Sequence, residues 1–168
     1  VSGIGSLEKL SDLSLTTNGY SLSEHAMGLK QSGLKRVNIS LDTLSQTKFK
    51  QITGLDHFEN VLEGIHASRQ AGFVSIKINV VVMRNINWDE ILSFVKFADQ
   101  YGLEVRFIEL MPTNGLVQLD PKERFLSSEE ARGEIEKIYE LIPVDAYFSS
   151  PAQIFLVKGT KAKVGFIS

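Results

Sequence analysis

Apolar and polar side chains alternate along three short stretches, LSLTTN at residues 13–18, VNISLD at 37–42 and IKINVVVM at 76–83. A period of two is the strand period, so each stretch predicts a β-strand with a polar and an apolar face. Ser14, Thr16 and Asn18 share the polar face of the first strand. Asn38, Ser40 and Asp42 share that of the second, and Lys77 and Asn79 that of the third. A period near 3.6 takes over after each strand and predicts helices at 24–31, between the Asp56 cap and Gly72, and between the Asn87 cap and Gly102, with a shorter one near 46–52. Parallel strands joined through helices are usually apolar on both faces. Hydroxyls, amides and an ammonium on one face cost stability unless water or a ligand satisfies them, which makes that face a candidate reaction chamber.

Glycine followed by a large apolar residue ends three of the helices, at Gly33-Leu34, Gly72-Phe73 and Gly102-Leu103. Glycine suits the left-handed position just past a helix, and the next apolar residue packs back on the last turn. Helix starts carry capping signals at Asp56–Glu59, Asn87–Glu90 and Ser127–Glu130, and the last opens a helix expected to carry Ile135, Ile138, Tyr139 and Ile142 as far as Pro143. Strands are expected at 153–158 and 163–167, split by a Gly-Thr turn, with a loop at 115–126. Four βα units (13–33, 37–72, 76–102, 104–141) plus two strands predict an α/β chain of one domain, a partial TIM-type (β/α) barrel with parallel strands. A complete eightfold barrel needs about 200 residues or more. A doubly wound sheet is the other option, although no glycine-rich phosphate loop follows the first strand.

Composition narrows the function classes. The net charge of −2 gives no general attraction to nucleic acid or anionic membrane. No apolar run approaches the roughly 18 residues that span a bilayer. Neither a basic, apolar leader nor an initiator methionine opens the chain, and its last residues read as a strand still running. A piece of a longer protein is therefore expected. The chain contains no cysteine, so its own residues offer no disulfide, thiolate zinc site or cysteine-held iron–sulfur cluster.

In parallel α/β folds, chemistry sits at the carboxyl ends of the strands. Here those ends hold Thr16–Gly19, Ser40–Asp42, Met83–Asn85 and Glu109–Pro112. No nucleophile–base pair is visible, and His25, His57 and His66 fall on predicted helices at spacings unsuited to sharing a metal. Lys77 is the sharpest residue, because lysine is disfavoured within a strand. It fits a phosphate clamp, a Schiff-base nucleophile, or an ion pair with Asp42 or Glu109. Thr16 and Ser40 fit either ligand contacts or satisfied strand hydroxyls, and Met111 fits packing or an apolar ligand contact. Of Arg106 and Glu109, which differ in parity, Glu109 is expected to face the chamber with Phe107 and Met111.

TTNG (16–19), RVNISLDTL (36–44), KINVVVMRNIN (77–87) and RFIELMP (106–112) together resemble the GTP 3′,8-cyclase (MoaA) family of molybdenum cofactor biosynthesis, a radical S-adenosylmethionine family. The terminal KGTKAKVGFIS is similar to the segment leading into that family's C-terminal cluster domain. The resemblance implies a six-stranded partial barrel, S-adenosylmethionine cleaved at a [4Fe–4S] cluster, and a second [4Fe–4S] cluster beside the guanine. It implies a lyase that converts GTP to (8S)-3′,8-cyclo-7,8-dihydroguanosine 5′-triphosphate. It places Thr16 and Lys77 at GTP-binding positions and Ser40 and Met111 at S-adenosylmethionine-binding ones. Asn18, Asn38, Asp42, Asn79 and Glu109 remain as lumen residues without a role.

The family's cysteine motifs lie outside these residues, so the segment alone is expected to be inactive. The resemblance further implies a cytoplasmic enzyme, hand-over of product to the cyclic pyranopterin monophosphate synthase, a possible homo-oligomer, and no nucleic-acid or membrane partner. The alternatives are another radical S-adenosylmethionine enzyme with a different substrate, a Schiff-base lyase or aldolase using Lys77, and a cysteine-free binding or scaffold barrel.

Overall fold

A computed structural model of the chain describes residues 1–5, 12–111, 121–144 and 152–168. The strands are β1 (Ser14–Thr17), β2 (Arg36–Ser40), β3 (Ser75–Val82), β4 (Glu104–Glu109), β5 (Leu141–Val144), β6 (Gln153–Val157) and β7 (Lys163–Ile167). Helices are α1 (Ser2–Gly5), α2 (Leu22–Gln31), α3 (Gln46–Thr53), α4 (Phe58–Gln70), α5 (Ile91–Tyr101), α6 (Pro121–Arg124) and α7 (Ser128–Glu136). Hydrogen bonds order the strands β1-β2-β3-β4-β7-β6-β5 in an unclosed sheet. The chain packs as two compact units, residues 1–41 with 45–78 and residues 42–44 with 79–168.

In the first unit β1 and β2 run parallel, with Thr16 opposite Asn38. Val37, Ile39, Leu22, Ala26, Val61 and Ile65 are buried, each large aliphatic contributing about 1.5–3 kcal/mol. Gly33 and Gly72 take the expected left-handed conformation, with φ of 94° and 72°. The Leu34 N–H donates to Leu29 O and the Gly33 N–H to Lys30 O, both at 3.1 Å, and buried Leu34 closes the joint. Helix α4 comes so close to the turn after β1 that a Cβ at Gly64 would lie 2.6 Å from Gly19 O and 3.0 Å from Leu22 Cβ. The capping box expected at Asp56 does not form. Phe58 starts α4, and Asp56 instead accepts hydrogen bonds from Lys50 Nζ (3.3 Å) and Gln46 Nε2 (3.4 Å) on α3.

In the second unit β4 and β7 are parallel, while β6 is antiparallel to both β7 and β5. An aromatic cluster forms the core: Phe107 stacks on Phe166 at 5.9 Å and meets Phe94 of α5 edge-on at 6.3 Å. Gly102, with φ of 66°, repeats the joint, the Leu103 N–H donating to Ala98 O at 2.9 Å.

The expected final helix is corrected. Ser127 and Glu130 do form a complete capping box, but α7 stops at Glu136 and Leu141–Val144 become β5. Pairing with β6 overrides the helical period, because Leu141, Ile142 and Val144 find partners in Val157, Leu156 and Ile154. Pro143 is tolerated there because β5 is the last strand of the sheet. Within the stretch read as a loop at 115–126, Pro121–Arg124 form a helical turn. Pro112, the last residue of RFIELMP, lies outside the described residues.

Candidate functional site

Strand alternation in the first unit presents the polar row foreseen from the pattern. Thr16, Asn18 and Ser40 are exposed, Asn38 and Lys77 are half-buried, and the interleaved Val37, Ile39, Ile76 and Ile78 are buried. Parallel register brings Asn38 against Thr16, the amide donating to the threonine hydroxyl at 3.2 Å. Asn18 is taken up locally, its Oδ1 accepting from the Tyr20 N–H at 3.2 Å, while Thr17 Oγ1 accepts from the Gly19 N–H at 3.1 Å. These two bonds shape the TTNG turn, with Gly19 at φ 80°. No described residue hydrogen-bonds the Ser40 hydroxyl. His57 packs its ring on Tyr20 at 4.4 Å, and no metal-binding group is found among the described residues.

The second unit holds Asp42, Asn79, Glu109 and Met111. Asp42 Oδ1 accepts from the Val81 N–H at 2.8 Å. Burial pushes its carboxyl above the ordinary value, and that hydrogen bond offsets part of the rise. Asn79 Oδ1 is buried and has no hydrogen-bond partner among the described residues. Met111 is 68% exposed.

Glu109 is not on the polar face of β4. It shares parity with Phe107, which packs on Phe94 of α5, and its Oε1 accepts from the Ser128 N–H at 2.6 Å at the start of α7. A carboxylate there is stabilised by the unpaired N–H groups of the helix terminus. The opposite face carries Glu104 and Arg106, paired at 2.6 Å and largely covered. Gly165 leaves room for Arg106 and Ile154, since a Cβ there would lie 3.3 Å from Arg106 Cγ and 2.8 Å from Ile154 Cδ1. The rule that assigned the other strands, apolar Val105 and Phe107 against polar Glu104 and Arg106, would have selected Arg106.

A buried polar clasp, not anticipated from the pattern, follows β2. Thr43, Asn87 and Glu90 are 0%, 2% and 9% exposed. Asn87 Oδ1 accepts from the Met83 N–H at 2.7 Å, and its Nδ2 donates to Asp42 O at 2.6 Å and Val81 O at 2.8 Å. One N–H and two carbonyls around the amide fix which way it points. Glu90 Oε2 accepts from the Leu44 N–H at 2.7 Å, and the Thr43 hydroxyl lies 2.8 Å from Oε1 and 2.9 Å from Oε2. Neither residue forms the capping box expected of the pair; a 3₁₀ turn, Trp88–Glu90, leads into α5 instead. The missed signal was spacing: Glu90 stands four residues before Phe94, which lies on the buried apolar stripe of α5.

Hydroxyl, amide, carboxylate, ammonium and thioether groups suit polar small molecules. They do not fit an iron–sulfur cluster, whose thiolate ligands these 168 residues do not supply. A cluster bound elsewhere would supply electrons.

The geometry defines a mostly parallel β/α protein of the partial TIM-barrel kind, with polar groups lining one face of its strands. The model of the Radical SAM superfamily matches residues 6–98, and the chain belongs to that superfamily. Among curated relatives, the protein named GTP 3′,8-cyclase from Ectopseudomonas mendocina is 42% identical over 98% of the chain and 50% of its own length. The protein of that name from Thermodesulfovibrio yellowstonii is 43% identical over 96% of the chain and 50% of its length. The one from Alkaliphilus metalliredigens is 39% identical over the whole chain and 51% of its length. The chain thus spans about half the length of these relatives. A solved structure, TYW1 with a lysine-pyruvate adduct bound, shares the fold at a TM-score of 0.54 and 18% identity, covering 83% of this chain and 45% of that one.

Proposed function

We propose that the chain is the central barrel segment of a GTP 3′,8-cyclase, in which Thr16 and Lys77 contact GTP and Ser40 and Met111 contact S-adenosylmethionine. The observation that carries this reading is the polar row of the first unit. It presents hydroxyls and an ammonium on one side of β1, β2 and β3, opposite the buried Val37, Ile39, Ile76 and Ile78 of β2 and β3. Relatives bearing that name match nearly the whole chain, which supports the substrate assignment.

The Lys77 ammonium suits a triphosphate, because charge-assisted hydrogen bonds are roughly twice as strong as neutral ones. Asn38 holds the Thr16 hydroxyl in register, and the Ser40 hydroxyl is available to the amino-acid or ribose part of S-adenosylmethionine. Met111 offers an adaptable thioether surface. The cyclisation itself, the cluster chemistry, cytoplasmic location and passage of product to a synthase belong to the same reading. Among the described residues no helix is long and apolar enough to cross a membrane.

The test is GTP binding by protein made from the complete reading frame. Lys77→Ala should weaken GTP affinity about tenfold or more, the loss of one charged hydrogen bond, while S-adenosylmethionine binding holds. Unchanged GTP affinity would remove the phosphate role. Trapping of a carbonyl substrate on Lys77 by borohydride would favour the Schiff-base alternative instead.

A further inference from the structure

We infer that Asn87 and Glu90 are positioning residues for the S-adenosylmethionine contact at the end of β2, acting through the backbone of Asp42, Thr43 and Leu44. The inference rests on the assignment of Ser40 under the proposed function. β2 ends at Ser40, and residues 41–43 have no regular secondary structure. Immediately beyond Ser40 the chain meets three fixed points: Asp42 O on Asn87 Nδ2, the Thr43 hydroxyl on Glu90, and the Leu44 N–H on Glu90 Oε2. The same Asn87 amide holds Val81 O and the Met83 N–H at the end of β3. One side chain therefore ties the residues that follow β2 to the carboxyl end of β3.

Apolar packing could bury this stretch at lower electrostatic cost, because a buried carboxylate and amide are expensive unless every bond is made. What they add is direction. A satisfied polar network specifies one backbone conformation where apolar contacts tolerate several. Among the described residues none hydrogen-bonds the Ser40 hydroxyl, so its placement depends on the backbone on either side. β2 pairing fixes one side and the clasp fixes the other.

The experiment measures S-adenosylmethionine and GTP affinities by calorimetry on protein made from the complete reading frame, with thermal midpoints alongside. Asn87→Asp retains the shape and the acceptor for Met83 N–H but loses both donations. It should raise the S-adenosylmethionine Kd about tenfold (~1.4 kcal/mol) and leave the GTP Kd unchanged. Glu90→Ala should do the same, and Glu90→Gln, which still offers Leu44 N–H an acceptor, should recover most of the affinity. Should Glu90→Ala not fold, Thr43→Val carries the same expectation.

Ser68→Ala is the stability control. It deletes a buried hydroxyl that donates to Gly64 O at 2.8 Å within α4, and it should lower the midpoint without moving either affinity. Clasp variants that lose stability like Ser68→Ala yet bind S-adenosylmethionine normally overturn the inference. Ser40→Ala separates the two ideas. If it weakens S-adenosylmethionine binding while Asn87→Asp does not, the clasp role fails and the Ser40 assignment stands. If Ser40→Ala has no effect, the assignment fails and the inference falls with it.

Discussion

The Thr43 hydroxyl sits across both carboxylate oxygens of Glu90, 2.8 Å from one and 2.9 Å from the other, where neither side chain meets solvent freely. A single hydroxyl proton serves both oxygens, and the Leu44 N–H supplies a second donor. Thr43→Val keeps the side-chain volume and removes the hydroxyl. The expected cost is about 1–3 kcal/mol, the range for stripping a donor from a buried charged acceptor. Urea unfolding would measure it as a lower midpoint at unchanged slope. A variant as stable as the parent would mean that water replaces the hydroxyl.

Asp42 gives a pH signature of the less common sign. Burial raises its folded-state pKa above 3.8, so the native state holds the proton more tightly than the unfolded chain. Its contribution to stability therefore falls as pH rises from below 3.8 through the raised folded-state value. Asp42→Asn keeps an oxygen for the Val81 N–H and should abolish that fall, converging with the parent at low pH and exceeding it near neutrality. Parallel stability profiles for the two proteins would contradict this account.

Glu130 behaves oppositely. Hydrogen bonds from Arg84 (2.5 Å) and the Ser127 N–H (3.0 Å) hold its carboxyl below the usual 4.5. Its contribution is present above that value and is lost as pH falls through the depressed one. Ser127→Ala removes the other half of the capping box and should cost about 1 kcal/mol. A smaller loss in thermal midpoint at acidic pH, where Glu130 is protonated, would tie the two effects together.

Gly64→Ala sets helix propensity against space. Alanine favours a helix over glycine by about 1 kcal/mol, yet the new methyl would lie 2.6 Å from the Gly19 carbonyl oxygen, which belongs to backbone and cannot swing away. The clash should win, destabilising by about 1–3 kcal/mol. Because Gly19 ends the TTNG turn, GTP affinity should fall as well. A raised thermal midpoint would show that α4 shifts freely.

Local signals were the legible ones. The three Gly-apolar joints, the alternation of β1 to β3 and the Ser127–Glu130 box each depend on neighbours within a few residues, and each formed as read. The misreadings share a cause, competition from partners outside the element being read. Residues 141–144 carry a helical period, yet β6 offers them a strand partner. Asp56 could cap α4 but meets Lys50 of α3. Asn87 and Glu90 could cap α5, but the backbone of residues 42–44 claims them. Glu109 reaches the Ser128 N–H, nineteen positions away. At the site, the polar row of the first unit was visible from period alone, whereas the clasp required knowing which residues β2 and β3 bring near one another.

Pro143 has a consequence for handling the protein. The Lys158 N–H donates to Glu140 O at 3.0 Å, so the alternation of an antiparallel ladder leaves the Pro143–Phe155 pair without mutual hydrogen bonds and turns the proline nitrogen outward. On the outer rim of β5 a visiting strand would find a ring carbon where it needs a donor. Concentrated solutions should therefore resist growth of cross-strand fibrils from this rim, and restoring the donor with Pro143→Thr should shorten the lag before a fibril-sensitive dye lights up.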